Sequence, residues 1–304
     1  MEEKSMTALV SAFSRAYHVE NNNIKIFDDS IARLLLSEEE YFQISRSMAE
    51  GIGFFNPNFK GTKEDALRWI VDNQLSQTPL ARGIFAEKAL QRAVAIGATQ
   101  YIILGAGYDT FAYRQPDWAN KIQILEIDHP ATGKDKEIRL EKAKLDIPQN
   151  VHFIHADITK ELWQEALIDC GAFEKSKISF CSVLGVVYYL SKQELEKLVS
   201  TLSFILPKGS SIVFDYPEES RNTNIADERW SKQILLAEAA KEKMLASYSY
   251  KEIETILSRH GFLIYEHLTS QQMTEQYFKC YNQGNPAHPM SAFEHVNYCL
   301  AVKN

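Results

Sequence analysis

Apolar positions along the chain fall into two kinds of run. Short stretches rich in β-branched and aromatic residues read as strands: Tyr101–Leu104, Ile122–Asp128, Val151–His155, Ile178–Val183, Ser211–Tyr216, Phe262–His267 and Val296–Val302. The first runs on without alternation, as a strand buried on both faces does. Between them lie stretches of helical period. Leu80–Ile96 carries Ile84, Phe85, Ala89, Leu90 and Val94 and stops at Gly97, with Pro79 just before it; Ala131–Lys144 is charged. Ser191 and Glu194 form a capping box ahead of an apolar stripe of Leu195, Leu198, Val199, Leu202 and Ile205, closed by Pro207 and Gly209. A second box, Ser249 with Glu252, opens a helix ended by Gly261, and a further helix is expected from near Thr159.

Strands alternating with helices through the fifth strand predict an α/β fold, a doubly wound, Rossmann-like, seven-stranded and mostly parallel sheet. The last two strands flank a Gly/Pro-rich loop, Asn282–Pro289, and are expected to form an antiparallel, hairpin-like edge. Residues 1 to about 75 show no strand alternation. They contain helical stretches at Ile31–Leu36 and Glu38–Met48 around a turn-rich segment, Gly51–Gly61, whose Phe54, Phe55 and Phe59 read as rings anchoring a loop, with pocket lining as the alternative. The expected organisation is a helical cap over 1–78 and a catalytic unit over 79–304, with a polar helical insertion at about 224–245.

The chemistry gathers at strand ends. Tyr101–Leu104 breaks into Gly105-Ala106-Gly107 with Asp109 behind it, a loop in which missing Cβ atoms let a ligand approach the backbone. A dinucleotide-binding loop would carry a third glycine where Thr110 stands, and Asp109 repels phosphate. An acid suits instead a nucleoside with a cationic tail, such as the sulfonium and α-amino group of S-adenosylmethionine. Asp128 ends the second strand roughly 20 residues past Gly107, the spacing at which α/β nucleotide sites grip ribose hydroxyls. Asp157, after the third strand, can accept from an adenine amino group while Ile158 packs on the ring. Taken alone, Asp157 reads as a helix cap; its place beside Gly105 and Asp128 favours the adenine reading.

Composition narrows the partners. The net charge is -7 with Lys and Arg scattered, which leaves no electrostatic footprint for nucleic acid. Four separated cysteines, Cys170, Cys181, Cys280 and Cys299, form no C-x-x-C pair and read as reduced core thiols, and no metal site is expected. The start, Met-Glu-Glu-Lys, lacks a basic and apolar leader, and no apolar run approaches spanning length, so a cytoplasmic protein is expected, without membrane contact.

These residues together resemble the leucine carboxyl methyltransferase superfamily, particularly bacterial members related to polyketide O-methyltransferases. Ile103-Leu-Gly-Ala-Gly-Tyr-Asp-Thr-Phe-Ala-Tyr-Arg114 is similar to the family's I-L-G-A-G-x-D-T-x-A-Y-R signature, Glu126-Ile-Asp-His-Pro130 to its E-x-D-x-P, and His155-Ala-Asp-Ile158 to its adenine segment. The resemblance implies a class I fold that binds S-adenosylmethionine through Gly105, Ala106, Gly107, Asp109, Asp128, His129, Asp157, Ile158, Val183 and Leu184. It also implies that Arg82 holds the methionine carboxylate, as the planar guanidinium fork suits. Where many members read E-G-V-x-x-Y-L, this chain has Leu184-Gly-Val-Val-Tyr-Tyr-Leu190, so a carboxylate at the methionine end is absent. Backbone carbonyls of Gly105 or Val183, or Asp109, are the candidates left for the amino group.

The expected reaction is methyl transfer to a carboxylate or hydroxyl oxygen of a small molecule, with methylation of a protein C-terminus as the alternative. A carboxylate acceptor needs no base. For a hydroxyl the candidates are Tyr188, Tyr189, Tyr216, His129 and His288, and none is singled out. Two other classes share parts of the pattern: a nicotinamide-dependent oxidoreductase, disfavoured by Asp109 and Thr110, and a non-catalytic S-adenosylmethionine-binding protein.

Overall fold

In the computed structural model, which describes residues 4–160, 162–219 and 225–304, the apolar runs become strands β1 (Gln100–Leu104), β2 (Gln123–Asp128), β3 (Val151–His155), β4 (Ser179–Val183), β5 (Ser211–Pro217), β6 (Phe262–Leu268) and β7 (Val296–Lys303). Among the described residues these strands form one sheet in the order β3-β2-β1-β4-β5-β7-β6. β1 pairs parallel with β2 on one side and β4 on the other, so the winding reverses there. In open α/β sheets that reversal opens a crevice at the carboxyl ends of the strands.

The helices are α1 (Met6–Asn21), α2 (Glu38–Glu50), α3 (Ile52–Phe55), α4 (Lys63–Ile70), α5 (Gln77–Ala95), α6 (Pro130–Lys142), α7 (Trp163–Asp169), α8 (Lys192–Ile205), α9 (Ile225–Ala239), α10 (Tyr250–Arg259), α11 (Ser270–Met273) and α12 (Lys279–Gly284). The alternation of side chains along a strand explains how they cover the sheet. Tyr101 and Ile103 of β1 join Leu80, Phe85 and Leu90 of α5 in one apolar cluster, while Ile102 and Leu104 join Leu195, Leu198 and Leu202 of α8 in another. Both capping boxes form, at Ser191/Glu194 and Ser249/Glu252.

Several boundaries differ from the pattern's expectation, each for a local reason. The last two strands are no simple hairpin edge: β7 lies between β5 and β6 and is antiparallel to both, and the link from β6 carries α11 and α12. α5 starts at Gln77, with Pro79 in its first turn, where a missing N–H leaves no intrahelical bond unmade. α7 starts at Trp163 rather than near Thr159, because Asp157 turns the intervening chain instead of capping a helix. The insertion is α9; its expected first residue, Asn224, lies outside the described residues, as do residues 1–3 of the cap. Among the described residues no helix is long and apolar enough to cross a membrane.

The pattern did not single out α1. Its Ser5 accepts from the Ala8 N–H as N-cap, and its apolar face (Leu9, Phe13, Tyr17) packs in one cluster with Tyr108 of the glycine loop and Leu140 of α6. His18 anchors its far end: the Nε2 atom accepts from Ile26 N at 3.0 Å. Burial lowers the His18 pKa to about 4, with Arg68 and Lys25 adding to the effect.

Candidate functional site

A cavity of about 890 Å³ opens at the carboxyl ends of the parallel strands and runs beneath α1 and the segment after α9. Of the eleven residues named from sequence, ten line it: Arg82, Gly105, Ala106, Gly107, Asp109, Asp128, His129, Asp157, Ile158 and Leu184. Val183 does not; it is buried in the apolar cluster with Leu104 and Val187.

The glycine loop is tied down from below. Gly105 N and Ala106 N both donate to Ile127 O of β2, at 2.8 and 3.1 Å. Gly105 and Gly107 have φ of +69° and +50°, the left-handed region, and a Cβ on Gly105 would also collide with Val186. Asp109 Oδ1 accepts from Phe111 N at 2.8 Å, closing the turn. Asp128 holds the loop from the side: its Oδ2 accepts from Gly107 N, and Oδ1 accepts from His129 N at 2.6 Å. Burial raises its pKa, with both N–H bonds opposing the shift. His129 caps α6 through Nδ1, which accepts from Ala131 N. Burial pushes the Asp157 carboxyl up, but bonds from Thr159 N and Oγ1 at 2.9 and 2.7 Å prevail and hold it below its ordinary value.

Sequence reasoning missed three acids around this cavity, two of them buried. Asp29 is 1 % exposed and accepts from Arg15 Nε at 2.7 Å and from Thr110; Arg15 in turn donates to Tyr108 O at 2.7 Å, so α1 grips the loop. Burial alone would raise the Asp29 pKa, yet Arg15 and Arg114 lower it. Asp215 of β5 is fully buried, its Oδ1 accepting from Gly185 N at 2.7 Å and its Oδ2 from the Tyr188 hydroxyl at 2.8 Å. Glu242 accepts from Ser5 Oγ, Met6 N, Thr7 N and Thr7 Oγ1, an anion on the N-terminus of α1. A signal existed for Asp215 alone, as an acid inside an otherwise apolar strand run. For Asp29 and Glu242 the partners are remote in sequence.

Arg82 projects from α5 between these parts. Its Nη2 donates to Ser11 Oγ at 3.1 Å, and its Nη1 stands 3.7 Å from Asp215 Oδ2. The same cavity has an apolar part, here the chamber, walled by Leu75, Tyr188, Trp230, Leu236, Met244 and Phe293. The rings of Tyr188, Trp230 and Phe293 form a chain with successive centroids 6.3 Å apart. A π-helical turn, Val71–Leu75, turns Gln74 and Leu75 to the same wall. Phe54, Phe55 and Phe59 do not line the cavity: Phe54 meets the buried Phe55 edge-on and Phe59 packs near Trp69, closer to the anchoring reading than to pocket lining. Of the base candidates, Tyr188, Tyr189 and His129 line the cavity; Tyr216, bonded to His267, and His288 do not.

Strand order, crevice and an acid-lined glycine loop together define a doubly wound α/β protein with a ligand-sized cavity at its strand ends. Comparison with known proteins places it further. The leucine carboxyl methyltransferase family model matches residues 8–203. The chain is 42% identical over 306 residues, 99% of its length and 98% of the relative's, to the Bacillus subtilis (strain 168) protein named "Putative S-adenosyl-L-methionine-dependent methyltransferase YktD". It is 29% identical over 182 residues, 58% of its length and 48% of the relative's, to a Mycobacterium tuberculosis (strain H37Rv) protein of like name, Rv3399. In fold it is similar to the crystal structure of a protein titled "putative methyltransferase" from Thermobifida fusca YX (TM-score 0.59, 14% identity, 100% and 96% of the two chains) and of a DUF574 family protein from Streptomyces avermitilis (TM-score 0.60, 12% identity, 97% of each). The chain belongs to the leucine carboxyl methyltransferase family. It is an S-adenosylmethionine-dependent methyltransferase by that membership.

Proposed function

We propose that this enzyme methylates an oxygen, carboxylate or hydroxyl, of a small apolar molecule bound in the aromatic chamber. The observation that carries the reading is the continuity of one cavity from the glycine loop to the chamber, past Arg82 and Leu184. The cofactor end has the right chemistry for S-adenosylmethionine: a backbone cradle that a Cβ would fill, and three carboxylates, Asp109, Asp128 and Asp157, that suit hydroxyls and cations and repel phosphate. In this reading Gly105, Ala106, Gly107 and Asp109 face the amino-acid and sulfur end, Asp128 with His129 the ribose, Asp157 with Ile158 the adenine, and Arg82 the methionine carboxylate, while the backbone of Leu184 borders the amino group. When bound, the cofactor supplies an electrophilic methyl on a sulfonium.

The protein's part is alignment and exclusion of water. Two of the candidate groups on the wall are already engaged. The Tyr188 hydroxyl donates to Asp215, and Glu242 is engaged by α1. An acceptor entering as an anion fits such a wall best. Residues 1–78 act in this reading as a cap on the 79–304 transferase unit, and α1 covers the cavity. Incubation with methyl-labelled S-adenosylmethionine and a metabolite extract tests the proposal. It expects label in a small organic-soluble product, released as methanol by alkali if an ester and retained if an ether. Label on nitrogen, on sulfur or on protein refutes it.

A further inference from the structure

A charge inside a buried strand is costly unless something requires it. In Ser211-Ile-Val-Phe-Asp-Tyr216 the carboxylate of Asp215 is inaccessible to solvent, and of the three groups bonded or ion-paired to it, two, Gly185 N–H and the Tyr188 hydroxyl, are neutral. An asparagine would satisfy both: its carbonyl accepts from Gly185, and its amide donates to the phenol oxygen. The third neighbour is Arg82, whose Nη1 stands 3.7 Å from Asp215 Oδ2 and whose side chain keeps 19 % exposure toward the cavity. Gly185 makes that approach possible. Its φ is +68°, and a Cβ there would occupy the space of the guanidinium.

We propose that Asp215 is a positioning residue for cofactor binding: from behind, together with Gly185, it seats the Arg82 guanidinium so that its fork faces the amino-acid end of the ligand. The inference rests on the reading that Arg82 receives the methionine carboxylate. Asp215 does not line the cavity and touches no ligand. It acts through Arg82, leaving Nη1 at ion-pair rather than hydrogen-bond distance, while Ser11 steadies Nη2. The same carboxylate pins the Gly185–Tyr189 turn, so the seat of Arg82 and one wall of the chamber share a single support.

The test is calorimetric titration of S-adenosylhomocysteine against methylthioadenosine, which lacks the amino-acid tail. Asp215→Asn is expected to weaken the first about tenfold, as loss of a positioned charge contact does, and to leave the second unchanged. In an Arg82→Lys background, itself selective for the first ligand, Asp215→Asn adds no further change in the ratio. Tyr188→Phe, which removes the other bond to Oδ2, leaves the ratio as in wild type. Should Asp215→Asn fail to fold, Gly185→Ala displaces the guanidinium by occupying its space, and the same selective loss is expected. Equal weakening of both ligands, no weakening, or an additive effect in the Arg82→Lys background overturns the positioning role. If Arg82→Lys itself weakens both ligands equally, the carboxylate reading of Arg82 falls first and takes the inference with it.

Discussion

The floor and the roof of the cavity are built on different principles. The floor, comprising the 105–109 loop, Asp128 and Asp157, comes from chain that follows directly on β1, β2 and β3, so three parallel neighbours deliver their ends to one place. Its bonds are short-range or cross one strand: Gly105 N to Ile127 O, Gly107 N to Asp128, Thr159 N to Asp157. The roof is assembled from α1, the segment after α9, the Val71–Leu75 turn and Phe293, and its bonds span most of the chain, as Glu242 on Met6 shows. A floor of this kind is rigid by construction. The roof depends on tertiary docking, and docked surface elements open at lower free energy than the sheet beneath them.

On this division, damage to the floor should cost cofactor binding most, whatever the pH, whereas damage to the roof should cost less. The largest effect is expected from Asp128→Ala. It removes a carboxylate that holds both Gly107 N and His129 N, so the loss of affinity for S-adenosylhomocysteine should reach about 3 kcal/mol, roughly two decades. Titration of a variant whose circular dichroism matches wild type checks it, and wild-type affinity would remove Asp128 from the ribose site.

Acid should act on the roof instead. His18 is protonated near its ordinary pKa in the unfolded chain but only at about pH 4 when folded, because burial disfavours the cation and Nε2 accepts from Ile26 N. The unfolded state therefore binds more protons between pH 6.5 and 4, and the stability present above that range is lost as pH falls through it. The loss should be about 2 kcal/mol at pH 5. Thermal melts from pH 7 to 4.5 measure it. In His18→Gln this contribution to the slope disappears, and an unchanged slope would mean that α1 is not the acid-sensitive element.

The smallest effect is expected from Glu242→Gln. The amide still accepts from Met6 N, but the negative charge at the helix N-terminus is gone, a change of about 0.5–1 kcal/mol in holding α1 down. Dissociation of S-adenosylhomocysteine, followed by stopped flow, should quicken a few-fold with little change in the association rate. An unaltered dissociation rate would show that the roof need not open there for the ligand to leave.

What the sequence could reveal followed the same line. Strand runs, capping boxes and the glycine loop are local signals, because side-chain periodicity and turn chemistry act over a few residues. The doubly wound order then brings Gly105, Asp128 and Asp157 together without further information. Asp157 shows the limit of local reasoning. As a cap it would have opened a helix at Thr159, whereas it closes a turn and the helix waits until Trp163. Placement of β7 between β5 and β6 was likewise beyond a pattern that reads strands one at a time, since it depends on pairing with β5, which lies about 80 residues earlier in the chain.

The sequence by itself determined the fold class, the family and the residues at the strand ends, since each rests on spacing along a single segment. Only the tertiary structure decided that α1 borders the cavity, that Arg15 and Asp29 grip the loop, Asp29 from 81 residues away in the case of Thr110, and that Asp215 stands beside Arg82. The physical reason is common to all three. A buried charge is stable only beside partners that satisfy it, and here those partners come from elements that meet only when the chain is folded.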